Sequence, residues 1–186
     1  MHKAIFLQQL QQQVHSLTAT VEIEFSPLDE AALHFKPSPV SWSILECLEH
    51  LNRYNRFYNA ELAAALAKQA HTKPACNSQQ VTYSWLGRKS YEAVRPENAQ
   101  ASKTLQRMNP SSSHLNRAVL EEFLQHQANL ALLLEKAAGA DLNQKAVRIE
   151  FFKLFKLKTG EAFQFLVAHE QRHMQQALRV KQQYQG

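Results

Sequence analysis

Apolar residues recur at helical spacing in the first twenty residues of the chain. The segment from His2 to Glu22 places apolar side chains three and four positions apart, as in a helix with one buried face. These positions are Ala4, Leu7, Leu10, Val14, Leu17 and Val21. Glutamines occupy much of the remaining surface. We therefore predict an amphipathic helix that packs into a bundle.

A second helix is predicted from Ser43 to Ala70, after a connection (26–40) that contains three prolines. Prolines discourage helix in the residues before them, so this connection is expected to be irregular. Ser43 and Glu46 have the spacing of a capping box, in which each side chain binds a free backbone NH of the first turn. The main apolar stripe of the helix is Leu48, Leu51, Tyr58, Leu62 and Leu66.

Two further helices are predicted in the second half of the chain. The third begins near Asn109-Pro110 with a serine cap and runs to about Ala138, where Gly139 is suited to end it. The fourth runs from Thr159 to about Gln182. Residues 147–157 fit a strand and a helix equally well. The stretch 71–109 is predicted to be a long irregular connection, and such loops are often functional.

Four long amphipathic helices with polar connections predict an all-α fold, a four-helix bundle, in a single domain covering residues 1–186. The composition agrees, because the chain has 4 glycines in 186 residues and is rich in good helix formers. No stretch reaches the roughly 18 to 20 apolar residues that span a bilayer, and the N-terminus lacks a signal-peptide core. We expect a cytoplasmic protein with no membrane partner, in which Cys47 and Cys76 are reduced thiols.

The net charge of +5 raises the question of an anionic partner. The basic residues are scattered, apart from Lys153, Lys156 and Lys158, and scattered charge is typical of a solvated surface. No nucleic-acid-binding motif accompanies the charge, so we predict no nucleic-acid partner. A basic patch that attracts an anionic substrate stays open as the alternative.

The sharpest chemical signal is the sequence His169-Glu170-Gln171-Arg172-His173. Histidines four residues apart project from one helix face, and two such imidazoles can bind one metal ion at about 2.0–2.1 Å. The helix positions beside them are mostly apolar, so the pair should face the bundle interior. The spacing leaves two interpretations open: a metal site, or two histidines satisfied by buried hydrogen bonds.

The same five residues match the HExxH motif of zinc proteases, in which the glutamate is the general base. That interpretation is disfavoured because no histidine follows His173 and the strand-rich lobe of such enzymes is missing. A third ligand must come from another helix. The periodicity leaves two main candidates, His50 in the second helix and His126 in the third.

Two segments of the chain resemble the signatures of DinB-like (DinB/YfiT-like) proteins. Trp42-Ser43 followed by His50-Leu51 is similar to the first signature, and the pattern His-x-x-Arg-His-x-x-Gln at 169–176 is similar to the second. The resemblance implies a bundle with the helix order up-down-down-up. It also implies that His50, His169 and His173 hold a divalent metal, with open positions for water or substrate.

For function, the resemblance implies a metal-dependent transferase or hydrolase, although the catalytic residues are not identified. Some members use bacillithiol or mycothiol in transferase or isomerase reactions, and others are named hydrolases. Three neutral imidazoles with open positions suit zinc or nickel, with iron or manganese as further candidates. A metal at such a site turns a bound water or thiol into a nucleophile toward a small electrophilic substrate, so a low-molecular-weight thiol is a candidate co-substrate.

Three more residues are predicted to lie around the metal ligands. Glu46 could orient His50 from one turn away, although its capping role has the stronger support. Tyr54 could offer a hydroxyl to a metal-bound water, and Arg172 could contact an anionic substrate. The alternative to an enzyme is a stress-response or binding module whose metal site is structural or vestigial. In either case, a homodimer along one face of the bundle fits the predicted fold.

Overall fold

The structure, a computed structural model, describes residues 1–71, 78–98, 106–110, 115–150 and 154–185. Two features lie outside regular helices and strands: a π-helical turn at Val21–Phe25 and a 3-10 turn at Gln106–Met108. The elements in chain order are α1 (Lys3–Thr20), α2 (Glu30–His34), α3 (Ile44–Ala70), α4 (Trp85–Val94), α5 (Ala118–Ala137), β1 (Lys145–Arg148), β2 (Lys156–Lys158) and α6 (Thr159–Gln185).

The helices α1, α3, α5 and α6 form the bundle. α3 packs against α5 and α6, and α1 packs against the same two helices. Asn52 binds the carbonyl of Val119 and Asn59 binds that of His126, so α3 and α5 run in the same direction.

The directions of α6 and α1 follow from further hydrogen bonds between helix ends. Gln69, at the end of α3, contacts Thr159 at the start of α6, so these two helices are antiparallel. Lys3 reaches the carbonyl of Ala140 just beyond α5, which places the start of α1 at the end of α5. The helix order is therefore up-down-down-up, which confirms the all-α bundle and the order that the resemblance implied.

The predicted apolar stripe of the first helix is largely correct. Leu7, Leu10, Val14, Leu17 and Val21 are buried in the core. Ala4, however, is exposed, because the buried face at the start of α1 is made by Lys3 and Phe6 instead.

The capping box at the start of α3 is present as predicted. The Ser43 hydroxyl accepts from the backbone NH of Glu46, and the Glu46 carboxylate accepts from the backbone NH of Ser43. α3 ends at Ala70, as predicted. In the connection before it, a short helix (α2) occurs where irregular chain was expected, because the Asp29 side chain caps it through the backbone NH of Ala32.

The stretch 71–109 is less irregular than expected, because it contains α4. The Ser84 side chain accepts from the backbone NH of Gly87 and so caps this helix. The third long helix begins at Ala118, later than the predicted start near Asn109-Pro110. The predicted serine caps at 111–113 lie outside the described residues.

The ambiguous segment 147–157 contributes to a β-hairpin. Val147 of β1 lies opposite Leu157 of β2, and both are buried. The hairpin packs on α3, where Arg148 binds the Glu61 carboxylate. Lys153 lies outside the described residues.

Two further observations bear on the expectations about compartment. No helix in the described ranges combines the length and apolarity that a bilayer crossing requires. Cys47 is completely buried, and this burial raises the pKa of its thiol. Cys76 lies outside the described part of the chain.

Candidate metal centre

Three histidines from two helices meet in the bundle interior. His50 on α3 and His169 and His173 on α6 place their ligand nitrogens within 4.8 Å of one another. Nε2 of His50 and Nε2 of His169 are 3.3 Å apart. The antiparallel packing of α3 on α6 produces this meeting, since it sets the early turns of α3 beside the middle of α6.

Hydrogen bonds on the outer ring nitrogens fix two of the three imidazoles. Nδ1 of His50 lies 2.7 Å from the carbonyl oxygen of Met108, and Nδ1 of His173 lies 2.9 Å from Oε1 of Gln176. Both acceptors lack a proton, so each Nδ1 is the donor and each Nε2 keeps its lone pair. Metal-binding histidines are typically oriented in this way.

The geometry of the cluster fits a divalent cation. Two nitrogens at about 2.0–2.1 Å from one tetrahedral ion are about 3.3–3.4 Å apart, close to the 3.3 Å between the Nε2 atoms of His50 and His169. Nδ1 of His169 is buried and has no hydrogen-bond partner among the described residues. The interpretation of a histidine pair satisfied by buried hydrogen bonds is therefore incomplete at His169.

Burial keeps the three imidazoles neutral. It lowers the pKa of His50 to about 4 and that of His173 to about 3, and it holds the pKa of His169 well below the usual value. Each of the α6 histidines is also disfavoured as a cation by a neighbouring imidazole of the cluster. Neutral imidazole is the form that binds a metal ion, so the cluster is ready as a donor set at neutral pH.

Aromatic rings surround the histidines. The Trp42 ring lies 4.9 Å from the His50 ring and stacks on the His173 ring at 5.6 Å. The Tyr54 ring lies 4.2 Å from the His169 ring and 5.0 Å from the His50 ring, between centroids. Such rings pack against the imidazoles and hold them in place.

The three other residues predicted near the metal ligands lie at different places. Tyr54 packs directly on the cluster, as described above. The carboxylate of Glu46 contacts the backbone NH of Ser43 and the ammonium of Lys36, whereas the Nδ1 of His50 uses the Met108 carbonyl. Arg172 donates from Nη1 to the carbonyl of Ala93 at 3.1 Å, which links α6 to the end of α4.

His126 and Glu170, the alternative metal ligand and the alternative catalytic base considered from the sequence, both lie outside the histidine cluster. His126 on α5 contacts the Glu122 carboxylate at 3.2 Å and is not among the clustered histidines. Glu170, the glutamate of the HExxH pattern, is completely buried and accepts from Asn55 and Gln127, both at 2.8 Å. Its burial raises the pKa of the carboxyl to about 7. These hydrogen bonds tie Glu170 to α3 and α5 and not to the histidine cluster, which argues against a protease-like base.

Two partners of the cluster were not assigned a role from the sequence. Met108 binds His50 through its backbone carbonyl, and no pattern of side chains in a sequence predicts which carbonyl will face a histidine. Gln176 did carry a signal, because it lies three residues after His173 and ends the second signature.

Comparison with known proteins gives one match. The family model of the DinB superfamily matches residues 9–177, a range that includes all three histidines and nearly all of the bundle. Comparisons with curated proteins and with solved structures give no match. The family model, the helix order and the histidine cluster agree, and the chain belongs to the DinB superfamily.

Proposed function

We propose that the protein is a metal-dependent enzyme in which His50, His169 and His173 bind one divalent cation. The observation that carries this proposal is the convergence of three imidazole donors within 4.8 Å, those of His50 and His169 buried and that of His173 partly exposed. Three neutral imidazoles suit zinc or nickel, with iron or manganese as further candidates. A cation held by three imidazoles keeps its full double charge, and when bound it would acidify a water or a thiol at a remaining position.

The residues of the chain would supply orientation and a dry environment. The Met108 carbonyl and the Gln176 side chain hold the rings of His50 and His173 with Nε2 free. Trp42 and Tyr54 pack on the rings and would limit the access of water to them. This environment strengthens the interaction of a cation with an incoming nucleophile, because charges interact more strongly at low dielectric.

The reaction that we propose is transfer of a thiol to a small electrophilic substrate, or hydrolysis of that substrate. The thiol would be a low-molecular-weight compound of the cytoplasm, where we place the protein. Its partner would thus be a small molecule, with no nucleic acid and no membrane in the reaction. A homodimer along one face of the bundle is part of this proposal and is tested by sedimentation.

The burial of two of the three histidines favours a second candidate, a stress-response or binding module with a structural metal. His50 is 2% exposed and His169 is 4% exposed, which suits a closed site. In this case the cation would raise the stability of the fold and no turnover would follow. Metal removal would then lower the unfolding temperature without the loss of any thiol-dependent activity.

Metal analysis of matched variants tests the site. Protein without a histidine tag is purified, and its metal content is compared with that of His169→Ala and His126→Ala. We expect about one metal per chain in the parent and in His126→Ala, and loss of the metal in His169→Ala. Circular dichroism checks that both variants are folded. A folded His169→Ala protein with full metal content would contradict the proposal.

Activity assays then separate the two candidates. Metal-replete protein is mixed with small thiols and electrophilic substrates, and thiol consumption is followed against the His169→Ala protein. Turnover that depends on the metal supports the enzyme. The structural module is supported if metal binding raises the unfolding temperature but no substrate is turned over, either with any thiol or with water alone.

A further inference from the structure

We propose that Arg53 is a positioning residue for the metal ligand His50 and acts through the backbone of residues 107–109. This inference rests on the proposed function, since it concerns the same site. Arg53 lies on α3 one turn after His50. Its effect on His50 passes through a segment outside the bundle helices, which contains the 3-10 turn.

The guanidinium of Arg53 binds two backbone carbonyls of this segment. Nη1 lies 3.1 Å from the carbonyl oxygen of Arg107 and 2.7 Å from that of Asn109. Nε donates at the same time to the Glu49 carboxylate at 2.9 Å. A planar guanidinium held on several sides is a rigid connector, so the segment is fixed relative to α3.

The carbonyl between these two is the one that His50 uses. Met108 stands between Arg107 and Asn109, and its oxygen accepts from Nδ1 of His50 at 2.7 Å. Because each peptide group is planar, fixing the carbonyls on both sides restricts the direction of the Met108 carbonyl. Arg53 therefore sets the acceptor that orients the His50 ring.

The far side of the segment is held by the β-hairpin region. Nη2 of Arg107 donates to the backbone carbonyl and to the carboxylate of Glu150, at 2.9 and 2.8 Å. The segment thus lies between α3 and the hairpin region and is tied to both. Its position beside His50 is the result of side-chain contacts from two distant parts of the chain.

Two opposite effects can be expected when Arg53 is removed. The guanidinium is a cation one helical turn from His50, so by charge alone its removal would strengthen binding of another cation. Loss of the oriented acceptor of His50 would instead weaken metal binding, since groups that orient metal-binding histidines typically contribute 10–100-fold to metal affinity. The direction of the change therefore distinguishes positioning from electrostatics.

Arg56 provides a matched control. It lies one turn further along α3 and also binds the Glu49 carboxylate, at 3.2 Å. Its other partner is Glu122 on α5. Arg53→Met and Arg56→Met each remove one guanidinium from Glu49, but only the first removes the bonds to the carbonyls of residues 107 and 109.

The experiment measures zinc affinity by chelator competition in the full chain. We expect affinity to fall about tenfold in Arg53→Met, to change little in Arg56→Met, and to be intermediate in Arg53→Lys, whose ammonium keeps the charge but not the planar geometry. Equal or tighter zinc binding in Arg53→Met than in Arg56→Met would overturn the inference. If Arg53→Met does not fold, the same comparison is made with Arg53→Lys.

A second readout does not need the metal. Nitrogen-15 NMR of the metal-free protein reports which ring nitrogen of His50 carries the proton. We expect the Nδ1–H form in the parent and in Arg56→Met, and a mixture of both forms in Arg53→Met. Zinc that fails to bind the parent would contradict the proposed function alone, whereas an unchanged His50 tautomer in Arg53→Met would contradict the role of Arg53.

Discussion

Asn55 on α3 donates a hydrogen bond of 2.8 Å to Oε1 of Glu170 on α6. Gln127 on α5 donates to the same oxygen, also at 2.8 Å. One carboxyl oxygen thus joins three helices of the bundle, and Glu170 directly follows His169 of the histidine cluster in sequence. Such a completely buried junction should contribute strongly to the register in which the helices pack.

Two substitutions at Glu170 should show whether its accepting oxygen or its negative charge contributes to the stability of the fold. Glu170→Ala leaves two buried amides without an acceptor, and we expect it to lower the free energy of unfolding by about 3 kcal/mol. Glu170→Gln keeps an accepting oxygen and removes a buried charge, so it should be at least as stable as the parent. Urea unfolding of the metal-free proteins measures both. Equal destabilisation by the two variants would show that the carboxylate charge itself is needed.

The ion pair between Glu61 and Arg148, which joins α3 to the hairpin, should make the stability of the fold depend on pH. The hydrogen bonds from Arg148 hold the pKa of Glu61 below its usual value. The Glu61 carboxylate therefore binds a proton less tightly in the folded state than in the unfolded state. The stabilisation from the ion pair is present above the ordinary glutamate pKa and is lost as the pH falls through the lower pKa of the folded state.

We therefore expect Glu61→Gln and Arg148→Met to lower stability at neutral pH by similar small amounts. Both variants should lose less stability than the parent on acidification, because the pair is already absent. Thermal unfolding across the acidic range measures this difference. If Glu61→Gln followed the same pH profile as the parent, the pair would not stabilise the hairpin.

The two glycines Gly87 and Gly139 should respond oppositely to alanine. A Cβ at Gly87 would overlap the Glu161 carboxylate, which accepts from the backbone NH of Ser84 and of Lys158. We expect Gly87→Ala to lower the free energy of unfolding by about 1–3 kcal/mol, despite the better helix propensity of alanine.

At Gly139 the nearest atom to an added Cβ is the Lys136 carbonyl oxygen, at an ordinary contact distance of 3.9 Å. Gly139→Ala should therefore be neutral or stabilise by about 0.4–1 kcal/mol. Thermal unfolding of both variants gives the comparison. A Gly87→Ala protein as stable as Gly139→Ala would mean that Glu161 moves away without loss.

Substitutions at Tyr54 test whether its ring, by packing, or its hydroxyl group supports metal binding. Tyr54→Phe keeps the ring beside His50 and His169, and we expect metal content and affinity to be retained. Tyr54→Ala leaves a cavity beside both rings, so stability should fall by about 3 kcal/mol and metal affinity should fall with it. Metal titration and unfolding measure the two effects. A loss of metal in Tyr54→Phe would contradict a packing role and point to the hydroxyl.

The helices that form the site could be predicted because their signals are local. The capping box of Ser43 and Glu46 and the apolar stripes depend on residues three and four apart, and these contacts form within one helix. The pair His169 and His173 followed from the same periodicity. The choice of His50 over His126 did not, because both lie in helices with buried faces. That choice came from the family resemblance, and the packing of α3 on α6 explains it.

The features that were missed depend on distant parts of the chain. α4 has ten residues, and its start is fixed by Glu161 of α6, which accepts from the backbone NH of Ser84. The hairpin was ambiguous because its strands are short and its pairing is settled by packing on α3. The role of the Met108 carbonyl could not be predicted from the sequence, since every residue carries a backbone carbonyl.

The shared direction of α3 and α5 has a consequence for engineering. Two neighbouring helices that run the same way cannot be joined by a tight turn, so the chain must travel back along the bundle between Ala70 and Ala118. Met108 lies on this return path. A minimal version of the protein with a shortened linker would keep all three histidines and four helices, but Nδ1 of His50 would lose its acceptor. A designer who counts only the histidines would not foresee this loss.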